Sequence, residues 1–126
     1  MRKGLLFGLL TMVWVPAMAA TPAEQLAKDS YSYLVAKESM LDGAIRSGSK
    51  DDYNRFIYQP TVDMMQRWPK PGDAAFDALR RCQFALEAFR VYSEDQFKAG
   101  GILPKASQTS KDYFDQKAQC KAALPK

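Results

Sequence analysis

Carboxylates lie close together at three places in the chain: Asp51-Asp52, Glu94-Asp95, and Asp112 with Asp115. A carboxylate pair can divide acid and base duties only if both groups reach one concave site in different environments. The first pair follows Ser49 at a helix start and the others fall on polar helix faces, so all are expected to be solvated. Met64-Met65 offers soft sulfur ligands, but with no third sulfur beside them they are expected to pack in the core. Ser107, Thr109 and Ser110 precede Lys111 near another helix start, where hydroxyls serve as caps and turn residues rather than as a Ser-Lys nucleophile. The chain has no histidine. That rules out Ser-His-Asp and Cys-His nucleophilic sites, His-ligated haem and zinc sites containing imidazole. No catalytic residue, cofactor or metal ligand is assigned, and the chain is expected not to be an enzyme.

The two cysteines, Cys82 and Cys120, are too far apart for a C-x-x-C redox motif. In an exported protein such a pair is expected to form a structural disulfide. Export is itself legible. Arg2 and Lys3 form a short positive region, Leu5 to Val15 supply an apolar run, and Pro16-Ala17-Met18-Ala19-Ala20 offers a small-residue cleavage site. Residues 1–20 thus read as a secretory signal peptide, and 21–126 as a single helical domain. The apolar run is about half the roughly 20 residues a membrane span requires, so no stable membrane anchor is expected. The expected address is the periplasm.

The chain has 126 residues and a formal charge of +4, from 18 Lys and Arg against 14 Asp and Glu. Loss of Arg2 and Lys3 with the leader leaves a formal charge of about +2 on about 106 residues, enough for one modest core. The remaining basic residues are dispersed, Arg80-Arg81 being the densest group, so no nucleic-acid surface is expected.

Four helices should position these groups. Thr21-Pro22-Ala23-Glu24 combines an N-cap hydroxyl, a proline in the first turn and a glutamate that can bond back to the cap. Helix 1 should run from there to Ser47-Gly48, burying Leu26, Tyr33, Leu34, Met40, Leu41, Ala44 and Ile45. Helix 2 should start at Ser49 and bury Tyr53, Phe56, Ile57, Val62, Met64, Met65 and Trp68, with a kink or break near Gln59 because Pro60 cannot continue the hydrogen-bond ladder. Trp68-Pro69-Lys70-Pro71-Gly72 ends it. Asp73 should cap helix 3, the longest, running to Gly100-Gly101 and apolar over more than half its circumference, hence central. Helix 4 should cover about residues 106 to 124, with Tyr113, Phe114, Cys120 and Leu124 inward. The expected fold is all-α, an up-and-down four-helix bundle with one disulfide joining helices 3 and 4.

In plan this resembles the periplasmic b-type cytochromes, but with no histidine for an axial haem ligand the resemblance stops at architecture. Size, export, helicity and a disulfide also look like the small periplasmic immunity proteins that block cell-wall-cutting toxins. The expected function is therefore an exported helical binding protein that inhibits another protein in the periplasm, with a periplasmic adaptor, chaperone or envelope-assembly subunit as the alternative. For the contact, the sequence favours Trp68 with Arg67 and Lys70, because a tryptophan held between prolines and cations makes a rigid amphipathic anchor. Its alternative is a plug for the end of the core.

The first expected outcome concerns processing. Intact mass of periplasmic material should match a chain starting at Ala20 or Thr21, less two protons for the Cys82–Cys120 bond. Free thiols in denatured, unreduced protein would contradict it.

Overall fold

A computed structural model describes residues 20–126, so the expected signal peptide, residues 1–20, lies outside the described residues except for Ala20. The described chain is predominantly helical and contains no strand. Helix α1 spans Pro22–Ser47 and begins as its sequence dictates: the Thr21 hydroxyl accepts from the Glu24 amide, and the Glu24 carboxylate accepts from the Thr21 amide. Gly48 ends it in the left-handed conformation, φ 64°, that glycine adopts without steric cost.

Next comes a helical run from Lys50 to Gln66 in three parts: α2 (Lys50–Tyr53), a π-helical segment (Asn54–Tyr58) and α3 (Gln59–Gln66). Pro60 lacks an amide proton and its ring crowds the carbonyl four residues back, that of Phe56. The chain neither breaks nor leaves the helix at Gln59. It widens instead, so that the Gln59 amide reaches back five residues to the Asn54 carbonyl. The Phe56 carbonyl finds a side chain, Lys37 Nζ donating to it at 2.8 Å, and one residue on Thr61 Oγ1 donates to Ile57 O at 2.6 Å. The wider turn also changes which residues face inward. Tyr53, Ile57 and Thr61 are buried at intervals of four, while Phe56, expected inside, is 42% exposed.

The expected third helix is divided. A single turn, α4 (Ala74–Asp77), capped by Asp73, is followed by α5 (Arg81–Lys98). Between them the amides of Leu79, Arg80 and Cys82 each reach back only three residues, which tightens the chain. Arg80 occupies the break. Its buried guanidinium donates to Asp77 Oδ1, Pro69 O and Gln83 Oε1, tying α4 and the preceding loop to the start of α5. Arg80 and the Gly72 amide together hold the Asp77 carboxyl below its ordinary range.

Helix α5 contacts α1, the π-helical segment, α3 and α6, so it is central as expected, yet Phe84 and Val91 leave one edge uncovered. Helix α6 (Gln108–Ala123) is capped by the Ser107 hydroxyl and pairs with α5 more extensively than any other two elements. The Cys82–Cys120 disulfide joins them, with Cα atoms 4.5 Å apart and both residues fully buried. Tyr113 fills the space between the pair. It is fully buried, stacks on Tyr92 at 5.0 Å and meets Phe89 at 5.2 Å.

The helices are sewn together by a repeated polar device. The Tyr33 hydroxyl contacts Thr61 Oγ1 at 2.7 Å, and since the single Thr61 proton goes to Ile57 O, Tyr33 must be the donor. By the same logic Tyr53 donates to Ser93, which donates to Arg90 O, and the Trp68 indole donates to Ser30, which donates to Leu26 O. Ser30, Thr61 and Ser93 are completely buried, so these bonds are obligatory rather than optional.

This arrangement implies an alkaline limit to stability. Burial pushes the Tyr33 phenol up to about 12 and raises Tyr53 as well. The folded chain therefore holds protons that the unfolded chain releases near the ordinary value of 10.0. Stability should be intact below pH 10 and fall as pH rises from there through the folded value. Urea midpoints measured from pH 8 to 12 should show this decline, and Tyr33→Phe, which leaves Thr61 bonded to Ile57 O, should flatten it. An unchanged slope in that variant would contradict the account.

Candidate functional site

Of the residues favoured for partner contact, Trp68 is 5% exposed. This corrects the anchor reading. The indole nitrogen is bonded to Ser30 at 3.1 Å and the ring meets the edge of Phe76 at 6.2 Å, so Trp68 plugs the core between α1 and α4 and has no face to offer. The short loop leaves no slack to swing it out, because the Pro69 carbonyl is held by Arg80 and the Gly72 amide by Asp77. Arg67 and Lys70 remain exposed, Arg67 reaching Asp29 at 3.4 Å and the Met64 sulfur at 3.5 Å. The structure does not bring these three residues together as one surface.

The carboxylate pairs do not converge either. The Ser49 hydroxyl accepts from the Asp52 amide, Asp52 pairs with Arg55, Glu94 pairs with Lys98, and Gln108 donates to Asp112. The first is a helix cap, and the other three are intrahelical surface contacts of the kind that contributes little. Met64 and Met65 pack against the core. Ser107 caps α6 by accepting from the Ser110 amide, and the Ser110 hydroxyl donates to Pro104 O. Among the described residues no three carboxylate, cysteine or histidine side chains gather as metal ligands, and no helix is long and apolar enough to cross a membrane.

Apolar side chains left outside the core mark the surface more clearly. Phe84 (41% exposed), Ala88 and Val91 lie one turn apart along α5 and face Thr109, Asp112 and Gln116 of α6 across a groove of about 460 Å³. Glu87 and Asp112 stand on its walls. The disulfide braces the groove floor, since Cys82 precedes Phe84 by two residues and Cys120 follows Gln116 by four.

On the opposite side of α6 lies a smaller cleft of about 210 Å³, bounded by Glu38 and Asp42 of α1, Tyr92 and Gln96 of α5, and Phe114. Phe114 was expected inward, but it lies a residue beyond the buried Tyr113 and is half exposed, its ring packing against Tyr92 at 5.6 Å and Tyr113 at 5.0 Å. Glu38 is already engaged there. Lys117 Nζ binds its Oε2 at 2.6 Å, and the Tyr113 phenol, raised far above its usual value mainly by burial, has the Glu38 carboxylate alongside. Gln96 holds the adjoining loop by accepting from the Leu103 amide and donating to its carbonyl.

Comparison with protein-family models, with curated proteins and with solved structures gave no match.

Sequence reasoning missed the α5–α6 groove because it took the wide apolar circumference of this helix, to which Phe84, Ala88 and Val91 contribute, as the mark of a central position. The available signal was their spacing: they repeat at intervals of four and three, displaced by about two residues from the Cys82, Leu86, Phe89 stripe, and so form a second face.

Placing Trp68 in the core has a direct test. Trp68→Ala should cost about 3 kcal/mol or more, as large-to-small core changes do. Ser30→Ala should cost about 1 to 3 kcal/mol by stranding the buried indole donor. Chemical denaturation gives both values, and a Trp68→Ala variant as stable as the parent would return the ring to the surface.

Proposed function

We propose that this chain is an exported helical protein that binds and blocks another protein of the periplasm, as an immunity protein does with a toxin acting there, and that it works by stoichiometric contact rather than by turnover. In this reading the helical stretches form an up-and-down bundle whose α5–α6 hairpin faces the partner. The observation that carries it is the Phe84, Ala88, Val91 stripe, exposed along a groove whose two walls are joined by a disulfide. A rigid frame loses little conformational freedom on association, and exposed aromatic and aliphatic groups aligned on one helix supply the buried centre that interfaces need. Glu87 and Asp112 make the rim acidic, which suits a partner segment carrying Lys or Arg around an apolar centre. The intramolecular disulfide is compatible with an oxidising compartment.

One feature favours the second reading, a periplasmic adaptor or chaperone. Met40 and Phe56, both about two-fifths exposed, border an apolar hollow of about 270 Å³ with Gly43 and Ala44, and flexible methionine surfaces suit varied clients.

Photo-crosslinking in the periplasm separates the two. With benzoylphenylalanine at position 84, an inhibitor should give one dominant adduct, an exported hydrolase, whose activity is abolished at equimolar ratio. Phe84→Ser should weaken that complex by about 2 kcal/mol or more, roughly 30-fold, with the melting temperature unchanged. A ladder of many adducts crosslinking equally through position 40 would favour the adaptor instead.

A further inference from the structure

A second pocket, with aromatic and cationic side chains on its walls, lies away from the α5–α6 groove, between the α2 and π-helical stretch and the last turns of α5. Its volume is about 430 Å³, and its lining includes Lys50, Tyr53, Asn54, Tyr58, Phe97 and Lys98. That size falls within the roughly 300 to 1,000 Å³ typical of small-molecule sites, whereas the cleft beside Glu38 is below it.

Its apolar wall is preformed. Tyr53 is 4% exposed, stacks on Phe97 with ring centroids 4.7 Å apart, and is fixed at its far end by the bond to Ser93. A ligand meeting this wall does not have to order it. Asn54 and Tyr58 are the first and last residues of the π-helical segment, so the wide turn that accommodates Pro60 also presents both side chains to this space. Widened turns of this kind are concentrated at functional sites.

The charge on the rim is unbalanced. Glu94 is the one carboxylate in the lining, and it is paired with Lys98 at 2.9 Å. Lys50 and Arg90 also act on that carboxyl and, after Lys98, help hold it below its ordinary range. Within the lining two cations, Lys50 and Lys98, face that one acid, which leaves an excess of one positive charge beside half-buried aromatic surface.

We propose that this pocket binds a small anion with a planar apolar body, an aromatic or conjugated carboxylate, whose ring lies against Tyr58 and Phe97 and whose charge sits between Lys50 and Lys98, with the Asn54 amide as a further donor. This inference is independent of the protein-binding reading and stands or falls without it. The ring requirement follows from the wall and the charge requirement from the rim, so neither part of the ligand should suffice alone.

The test is a titration of the oxidised mature protein with benzoate, followed by proton–nitrogen correlation NMR at constant ionic strength, with acetate and benzamide as the two half-ligands. Benzoate should give saturable shifts centred on Asn54, Tyr58 and Lys98, and should bind at least about tenfold more tightly than either half-ligand. Combined Lys50→Gln and Lys98→Gln should weaken benzoate by about tenfold or more while leaving benzamide unchanged. Tyr58→Leu should weaken benzoate and leave acetate unchanged, with an otherwise native spectrum in both variants. Benzamide binding as tightly as benzoate, shifts that do not saturate, or a double-lysine variant with parental affinity would each overturn the proposal.

Discussion

The fold depends on three buried hydroxyls. Ser30, Thr61 and Ser93 sit at helix positions where a hydrophobic residue would ordinarily be found, and each passes one proton to a carbonyl of its own helix while accepting another from an aromatic side chain of a neighbouring segment. Apolar packing alone is non-directional and tolerates rotation of one helix against the next. A buried donor that must find one acceptor does not. The cost of leaving any of these groups unpaired, on the order of 1 to 3 kcal/mol, fixes helical register more narrowly than shape does.

The disulfide works on a different part of the molecule. The hydroxyl contacts bind the stretch from Tyr53 to Trp68 to α1 and α5, whereas Cys82–Cys120 fastens α6 to α5. Helix α6 needs that fastening, because its own polar faces are broad and it buries only Ser110, Tyr113 and Cys120. With α6 clamped at one end and Tyr113 wedged between Phe89 and Tyr92 further along, the groove beside Phe84 and Val91 keeps a fixed width. Its apolar floor is thereby kept from collapsing onto itself.

Local chemistry was legible in the sequence wherever it is read over a few residues. The Thr21 and Glu24 box, the Gly48 stop and the cysteine pair all follow from short-range rules, and the structure contains each of them. What escaped depended on contacts across the fold. Trp68, followed by Pro69 and Pro71, looked like a surface anchor because nothing nearby in sequence announces that Ser30, on another helix, is placed to accept a hydrogen bond from it. The break at Arg80 escaped for a similar reason, since a residue with good helix propensity is turned aside by its bond to the Pro69 carbonyl. Pro60 was seen, but its accommodation was not, because the widened turn is completed across the fold, with Lys37 of α1 donating to Phe56 O. The candidate surface was the least legible, because an apolar residue on a helix reads the same whether or not a neighbouring helix covers it.

The position of the cross-link also sets an order of events. Cys120 is the last core residue along the chain, so in any process that delivers the polypeptide from its N-terminus, the covalent loop cannot close until α1 through α5 have all emerged. For that interval the earlier helices must hold together on side-chain contacts alone, and Cys82 waits as a free thiol on a central helix. A chain emerging into a reducing space would stay in this half-assembled condition, with α6 held only by Tyr113 and its neighbours. The bond thus closes late, and it records that α5 and α6 have found each other.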